Sequence, residues 1–204
     1  MIIVPEVVFI FQQAKLSRAS SHSTSHGLFL MTTHHPPIGW VSEDDFSQAV
    51  AALPLVSIDL LVVNDKQELL LGLRRNRPAQ GWWFSPGARI RKGEALKLAL
   101  SRVWLEELGQ SQPMPAVQLM GAWDHMYADS AYSDQVPTHY VNLPHLVLLP
   151  IDTVLTPEGL PQDQHSQWQW MPLEQAATDA HVHAYVQAYA HNILFKSNST
   201  KDLK

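Results

Sequence analysis

The chain has 204 residues, of which 46% are apolar and 16% are charged, so it carries enough apolar material for a folded core and is not disordered throughout. Its formal net charge of −5 argues against a generally basic nucleic-acid-binding protein. The absence of cysteine excludes disulfide scaffolds, zinc-thiolate sites and thiol nucleophiles. No apolar run approaches the roughly 20 residues that span a bilayer. We therefore expect no membrane partner and a cytoplasmic location.

The two ends of the sequence differ from its middle. Residues 1–37 are rich in Ser and His, end in Pro36-Pro37 and keep no helix or strand period, which predicts a disordered N-terminal extension. A metal-binding tract is the alternative interpretation of its histidines. We predict one domain over residues 38–195 and a flexible C-terminal tail over residues 196–204.

The predicted elements follow one another without an internal repeat. Ser42 is a good N-cap and three acidic residues follow it, which predicts a helix that ends near Ala52. The elements expected after it are the strands Leu55–Val63, Glu68–Leu73 and Trp82–Phe84, the long helix Glu94–Leu108 closed by Gly109, the strands Val117–His125, Thr138–Leu149 and Trp168–Met171, and helices near Leu173–Thr178 and His183–Asn192. Strands grouped around one central helix indicate an α+β fold or a three-layer α/β/α sandwich.

Charge is unevenly distributed along the domain. Eight of the 14 basic residues lie between Arg74 and Arg102, where Glu94 is the one acid, whereas residues 103–195 contain no Lys or Arg and ten acids. Basic loops followed by an acidic helix end suit an anion held together with a divalent metal. A basic surface face is the alternative.

The long helix places a carboxylate on its apolar face. At 100° per residue, Leu96, Leu100 and Val103 form one stripe, Glu107 falls inside it and Glu106 lies at its edge. An unpaired carboxylate in the core is costly, so Glu107 needs a metal ion, an arginine or a contact with water. Oxygen ligands of this kind suit Mg²⁺ or Mn²⁺. A helix-end glutamate that extends into solvent is the alternative.

Asp59 is a second carboxylate in an apolar segment, here within a predicted strand. On strict alternation it shares a face with Leu55, Ser57 and Leu61. A buried carboxylate in this place either lines a functional site or is a hydrogen-bonded structural residue.

Two segments together resemble the Nudix box. The stretch from Pro86 to Glu94, then seven residues, then Arg102-Val-Trp-Leu-Glu-Glu107-Leu-Gly109 is similar to the signature G-x5-E-x7-R-E-U-x-E-E-x-G-U, where U is aliphatic. The resemblance implies the Nudix α/β/α sandwich with a mixed sheet, in which a central loop-helix-loop binds a divalent metal against a diphosphate. It also implies hydrolysis of nucleoside diphosphates linked to a further moiety.

Two positions depart from that signature. Ala88 stands at the leading glycine, directly after Gly87, and Val103 replaces the Glu that binds metal in ordinary members. The departures resemble those of one branch, the GDP-mannose mannosyl hydrolases, and the likeness extends from about Val41 to Asn192. Its segments are residues 54–59, 70–72, 74 and 76–81, 83–84, 86–87, 138–141 and 163–165.

Members of this branch act at the anomeric carbon of the sugar, where water attacks with inversion and GDP leaves. The resemblance therefore implies Mg²⁺-dependent hydrolysis of GDP-mannose or GDP-glucose to GDP and free hexose, with Mn²⁺ as the alternative ion. It also implies a homodimer.

Roles carried over by position give a complete site. Mg²⁺ would be held by the Gly87 backbone carbonyl, Glu107 and the Gln164 side chain. His165 would be the general base, since an unperturbed pKa near ~6.5 suits proton removal at neutral pH. The other implied residues are Arg74, Arg89, Arg102 and Tyr140 at the leaving diphosphate, and Asp59 with His125 at the sugar.

Two other functions remain open at this point. One is a Nudix pyrophosphohydrolase that cleaves a nucleoside diphosphate sugar at phosphorus, giving a nucleoside monophosphate and a sugar phosphate. The other is a nucleotide-sugar binding module without catalysis. Val103 argues against the first, and the retained Glu107, Gln164 and His165 argue against the second.

Overall fold

The computed structural model describes residues 41–201, with side chains as far as Ser197, so the extension predicted over residues 1–37 lies outside the described residues. In chain order the elements are α1 (Glu43–Ala52), β1 (Leu55–Val63), β2 (Glu68–Arg74), β3 (Trp83–Phe84), β4 (Gly87–Arg89), α2 (Leu96–Leu108), β5 (Val117–Leu119), β6 (Trp123–Tyr127), β7 (Thr138–Leu148), β8 (His165–Pro172), α3 (Leu173–Ala176) and α4 (Ala184–Lys201). None of these described helices is long and apolar enough to cross a membrane.

Strand β1 lies at the centre of a mixed sheet. It pairs in parallel with β7, from Leu55 opposite Tyr140 to Val63 opposite Leu148, and antiparallel with β4. β2 pairs antiparallel with β3 and β8, and β7 pairs antiparallel with β5 and β6. The β1–β2 hairpin has one registered pair, Val63 with Leu69, so the two strands separate beyond their turn and β4 pairs with β1 in place of β2.

Both faces of β1 are buried, each against a different helix. Ile58, Leu60 and Val62 belong to the core cluster that contains Leu100 and Val103 of α2. The alternate residues of β1 belong to the cluster formed with α3 and α4, which contains Leu61, Val63, Leu173, Val186 and Tyr189. The sheet therefore lies between α2 and α4, which confirms the predicted α+β sandwich with a mixed sheet.

The buried face of α2 agrees with the predicted stripe except at its first residue. Leu100 and Val103 are buried, and Glu107 is buried with them. Leu96 is 38% exposed, so its assignment to the stripe is wrong. It is the first residue of the helix and precedes Ala99, the first residue that the core buries.

Helix α2 begins two residues later than predicted. The Glu94 carboxylate accepts a hydrogen bond from the Arg91 backbone nitrogen at 2.9 Å and is therefore used in the loop before the helix. Ala95 has extended backbone angles and is the N-cap residue.

Other boundaries differ from the prediction too, and three of them have a visible physical reason. The strand expected over Val117–His125 is divided into β5 and β6 at Gly121, whose φ of 107° favours glycine. The strand expected from Trp168 begins at His165, because His165 still pairs with Arg74 of β2. Helix α4 continues into the predicted tail as far as Lys201, and no Gly or Pro in that stretch would stop it.

Candidate active site

A cavity of about 480 Å³ opens where β1 and β2 separate, and strands β1, β2, β4, β6 and β7 contribute to its wall together with the end of α2. Nine of the ten predicted site residues line it: Asp59, Arg74, Gly87, Arg89, Arg102, Glu107, His125, Tyr140 and Gln164. The tenth, His165, lines an adjoining cavity of about 180 Å³ that shares Glu107 and Gln164 with the first. The fold thus assembles the predicted residues at one place.

Glu107 is the carboxylate that α2 buries at this place. Its Oε1 accepts a hydrogen bond from Gln164 Nε2 at 2.7 Å. Burial raises the pKa of Glu107 to about 7, although the positive charge of Arg74 acts in the opposite direction. At neutral pH both the protonated and the ionised form are therefore populated, and a nearby cation would favour the ionised form.

His165 lies deeper than a loop residue would. Its side chain is 1% exposed, and its ring packs against Trp168 with the ring centroids 4.4 Å apart. Its Nδ1 lies 4.0 Å from Glu107 Oε2, and its Nε2 is buried without a hydrogen-bond partner among the described residues. Burial lowers the pKa of His165 to about 3, so the unperturbed pKa expected from the sequence is not retained here.

A glycine makes room for this histidine. A Cβ atom at Gly72 of β2 would stand 2.5 Å from two carbon atoms of the His165 ring. The side chain of His165 therefore occupies the space that any larger residue at position 72 would need.

The groups that could hold a divalent cation are oxygen donors. In the pairing of β1 with β4, Leu60 N donates to Pro86 O and Ile90 N donates to Val56 O, both at 2.8 Å. Gly87, opposite Asp59, is therefore at a non-hydrogen-bonded position, and its carbonyl is directed away from β1. A side chain at Gly87 would collide with the Asp59 carboxylate and with the β1 backbone.

Among the described residues, Asp59, Glu106, Glu107 and Asp163 bring carboxylates to the cavity wall, and Glu107 is the one in the predicted donor set. Within residues 41–197 no three His, Cys, Asp or Glu side chains are grouped so that they could hold a metal. Gln164 presents its nitrogen to Glu107, so its carboxamide would have to rotate before both oxygens faced a cation. A carbonyl, a carboxylate and an amide oxygen suit Mg²⁺, which keeps several water or phosphate ligands of its own.

Arg102 is committed to hydrogen bonds within the box. It donates to both oxygens of Glu94, from Nε at 2.7 Å and from Nη2 at 2.9 Å, and to Glu106 Oε2 at 2.9 Å. Nη2 also donates to the Arg89 carbonyl at 3.0 Å. The contact with Glu94 lowers the pKa of Glu94 and raises that of Arg102. Although Arg102 lines the cavity, this geometry favours a role in holding α2 against the loop before it.

Arg74 and Arg89 are better placed to present donors to an anion. Arg74 Nε donates to the Pro78 carbonyl at 3.0 Å, and its guanidinium carbon lies 5.9 Å from the Phe84 ring centroid. The Arg89 guanidinium carbon lies 4.5 Å from the Phe46 ring centroid of α1. Neither contact uses the terminal nitrogens of the two guanidinium groups.

Tyr140 adds an uncharged donor to the cavity wall. Burial raises its pKa, while the charges of Arg74 and Arg89 act in the opposite direction. The hydroxyl therefore stays protonated at neutral pH and can donate to a phosphate oxygen.

Asp59 and His125 meet in a buried hydrogen-bond network. The Tyr189 hydroxyl lies 3.2 Å from Asp59 Oδ2, 2.7 Å from His125 Nε2 and 3.2 Å from Asn142 Oδ1. Burial raises the pKa of Asp59 to about 7 and lowers that of His125 to about 4. Asn142 in turn donates to Ser57 Oγ at 2.8 Å.

Among the residues that sequence reasoning missed at this site are Asn142, Tyr189 and Phe46. Asn142 is two positions after Tyr140 on β7, so alternation alone could have placed it on the same face. Tyr189 lies on the apolar stripe of α4, where the pattern shows its burial but not the partner of its hydroxyl. Phe46 of α1 gave no signal beyond its apolar character.

Comparison with known proteins agrees with the geometry of the box. The family model "NUDIX domain" matches residues 53–191. The chain is 35% identical over 132 residues to the low-salt glycan biosynthesis protein Agl8 of Haloferax volcanii, a match that covers 64% of this chain and 79% of that protein.

Two solved structures are similar in fold. A MutT protein from Methanosarcina mazei Go1 matches with a TM-score of 0.55 and 21% identity, over 71% of this chain and 96% of its own. A MutT NUDIX hydrolase from Burkholderia pseudomallei matches with a TM-score of 0.53 and 22% identity, over 69% of this chain and 98% of its own. The chain belongs to the NUDIX domain family and is a Nudix hydrolase of nucleoside diphosphate derivatives.

Proposed function

We propose that this Nudix hydrolase converts GDP-mannose, or GDP-glucose, with Mg²⁺ to GDP and free hexose by attack of water on the anomeric carbon. The observation that carries the proposal is the composition of the box helix α2. Val103, where the signature has a metal-binding Glu, is fully buried in the core, whereas Glu107 is buried beside the cavity. Without a carboxylate at position 103, the box supplies fewer metal ligands than the signature does for attack at phosphorus, which suits a cation bound largely by the leaving diphosphate.

The residues at the cation end would be Gly87, through its carbonyl, with Glu107 and Gln164. A divalent cation on a diphosphate supplies charge neutralisation for the leaving group. Gly87 has a second reason to be glycine, because the Asp59 carboxylate fills the space of a side chain. The same backbone position thus serves the cation and allows Asp59 to approach.

Arg74, Arg89 and Tyr140 would bind the diphosphate. Guanidinium groups match phosphate oxygens in geometry and gain in interaction as negative charge grows on the departing GDP. We assign Arg102 a different role from the one implied by its position in the signature. Its donors are engaged by Glu94, Glu106 and the Arg89 carbonyl, so it orients Arg89 and α2.

Asp59 and His125 would face the sugar. An ionised carboxylate near the anomeric carbon stabilises the positive charge that develops there in an oxocarbenium-like transition state. Arg74 favours ionisation of Asp59 against the effect of burial. The pair is held rigidly by Tyr189, which reduces reorganisation during the reaction.

His165 would be the general base. Because burial lowers its pKa to about 3, its ring is neutral at pH 7 and has a nitrogen lone pair for the proton of the attacking water. The low pKa also makes it a weaker base than a histidine in water. A change on substrate binding that raised the pKa of His165 would therefore increase the rate of proton removal.

The relative from Haloferax volcanii supports a sugar-linked substrate. Its name places it in glycan biosynthesis, and glycans are built from activated sugars. A nucleoside diphosphate sugar is therefore the substrate class that best joins the family with this relative.

The product distinguishes the proposed reaction from its alternatives. The protein is incubated with GDP-mannose and Mg²⁺, and the nucleotide product is identified by ³¹P NMR and anion-exchange chromatography. We expect GDP and no GMP. GMP with mannose 1-phosphate would show attack at phosphorus, and the absence of turnover would favour a binding module; either result rejects the proposal.

A further inference from the structure

Tyr189 connects helix α4 with the candidate active site. Its side chain is fully buried, and its ring packs edge-to-face on Trp123 with the centroids 5.0 Å apart. Its hydroxyl contacts His125, Asp59 and Asn142, all of which line the cavity. Tyr189 therefore supports three cavity residues from the core.

The directions of these hydrogen bonds follow from the donors available. Asn142 uses its amide nitrogen on Ser57, so it presents Oδ1, an acceptor, to Tyr189. An ionised Asp59 carboxylate is also only an acceptor. The single hydroxyl proton of Tyr189 has to serve both oxygens, and its two equal distances of 3.2 Å fit a proton shared between them.

His125 must then be the donor to Tyr189. The separation of 2.7 Å between His125 Nε2 and the Tyr189 oxygen is the shortest of the three, and the direction of this hydrogen bond follows from the other two contacts. If Nε2 were instead the acceptor, the single proton of the Tyr189 hydroxyl would point to His125. The oxygens of Asp59 and Asn142 would then face the Tyr189 oxygen with no hydrogen between them.

The ring plane of His125 is fixed by another residue. Tyr185 stacks on it with the centroids 3.9 Å apart and the planes 5° apart. The Tyr185 hydroxyl forms hydrogen bonds with the backbone N and O of Met126 and none with the histidine. Tyr185 thus sets the plane of the ring, while Tyr189 sets which nitrogen carries the proton.

The other ring nitrogen of His125 is unpaired among the described residues, in a side chain that lines the cavity. In the described part of the chain, Nδ1 makes no hydrogen bond, and it is not among the fully buried unpaired atoms. Since burial keeps the pKa of His125 at about 4, the ring is neutral near pH 7 and has one lone pair.

We propose that Tyr189 is a positioning residue whose hydroxyl holds His125 as the Nε2–H tautomer, so that Nδ1 presents its lone pair to the cavity. A ligand at this point has to offer a hydrogen-bond donor. In the proposed function, on which this identification rests, the donor is a hydroxyl group of the sugar. Helix α4, which lies outside the Nudix box, would then contribute to the choice and orientation of the substrate.

The tautomer is measured directly by two-bond ¹H–¹⁵N NMR on the ligand-free protein at pH 8, with the His125 signals identified from their loss in His125→Gln. We expect protonated Nε2 in the wild type. In Tyr189→Phe, which removes only the hydroxyl, we expect a substantial fraction of the Nδ1–H tautomer. The kcat for GDP-mannose should fall about tenfold, or roughly 1.4 kcal/mol of barrier.

Tyr185→Phe is the matched control, because it removes a hydroxyl four residues earlier on α4 from a ring that also contacts His125. It should keep the wild-type tautomer and a kcat within about twofold of wild type, a difference of roughly 0.4 kcal/mol. A wild-type protein with protonated Nδ1 overturns the proposal without any variant, and so does a folded Tyr189→Phe with unchanged tautomer and kcat. The NMR measurement uses no substrate, so GMP as product would reject the proposed function while leaving the tautomer result intact.

Discussion

Burial acts in opposite directions on the acids and bases of the cavity. It raises the pKa of Asp59 and of Glu107 to about 7, and it lowers the pKa of His125 to about 4 and of His165 to about 3. Removal from water disfavours the charged form in each case. Near neutral pH a cation that binds Glu107 therefore has to displace a proton in part of the molecules, so we expect its affinity to rise as the pH increases through 7.

The first prediction concerns Glu107 as the carboxylate at the cation end. Glu107→Gln should abolish most of the increase in unfolding temperature that Mg²⁺ produces, and it should lower kcat/KM at least about tenfold, or roughly 1.4 kcal/mol. In the wild type, the increase on adding Mg²⁺ should be larger at pH 8 than at pH 6. Differential scanning fluorimetry over this pH range, with and without EDTA, measures both effects.

Glu106→Gln is the control for that prediction. Glu106 is adjacent in sequence, but its side chain is 44% exposed and pairs with Arg91 and Arg102. The control should keep the response to Mg²⁺. If Glu107→Gln also keeps it, Glu107 is not the metal ligand.

The second prediction concerns His165. His165→Gln should lower kcat by about 10²–10⁴-fold, the range typical of a general base. KM should change little, because the arginines still bind the diphosphate. Steady-state kinetics with GDP-mannose give the two parameters separately.

His183→Gln is a suitable control for His165. Burial also lowers the pKa of His183 to about 4, and its ring packs on Phe84 with the centroids 5.2 Å apart, but it does not line the cavity. It should retain kcat. If the two variants lose kcat equally, the effect comes from packing and His165 is not the base.

At the scale of elements, the box is a helix tied to the loop that precedes it. Glu94 accepts from Arg91 in the loop and from Arg102 in α2, and Arg102 reaches back to the Arg89 carbonyl. The glutamate and arginine of the signature thus join the loop, β4 and α2 into one unit. This explains how Gly87 on β4 and Glu107 on α2 keep a fixed relative position.

The third prediction distinguishes the structural role of Arg102 from the binding of substrate by Arg89. Arg102→Lys cannot keep the paired contacts with Glu94, so it should lower the free energy of unfolding by about 1–3 kcal/mol and reduce kcat. Arg89→Lys should instead raise KM severalfold with an almost unchanged unfolding temperature. Chemical denaturation and steady-state kinetics of both variants provide the comparison, and a stable Arg102→Lys with a raised KM would assign Arg102 to the diphosphate after all.

Helix periodicity was sufficient to find Glu107, because an acid on an apolar stripe is visible in the sequence. Strand alternation similarly placed Asp59 on an inward face. It did not reveal that α4 brings Tyr189 to Asp59 over 130 positions of sequence. Such long-range contacts depend on how the layers pack, and no local pattern encodes them. The burial of His165 could not be predicted for the same reason, because it depends on the space that Gly72 leaves in β2.

At the scale of the whole molecule, the sandwich was predictable and its irregularities were not. The grouping of the predicted strands around one central helix was enough to indicate an α+β fold or an α/β/α sandwich. The break at Gly121 and the early start of β8 at His165 depend on pairing with other strands. The domain limits at residues 38 and 195 and the homodimer stay predictions.

Hydrolysis of GDP-α-mannose in H₂¹⁸O distinguishes attack at the anomeric carbon from attack at phosphorus, because it locates the bond that breaks. We predict that ¹⁸O appears on C1 of the sugar, that the GDP carries none, and that ¹H NMR detects β-mannose before mutarotation. Label on phosphorus, with mannose 1-phosphate or GMP as the carrier, would contradict attack at the anomeric carbon.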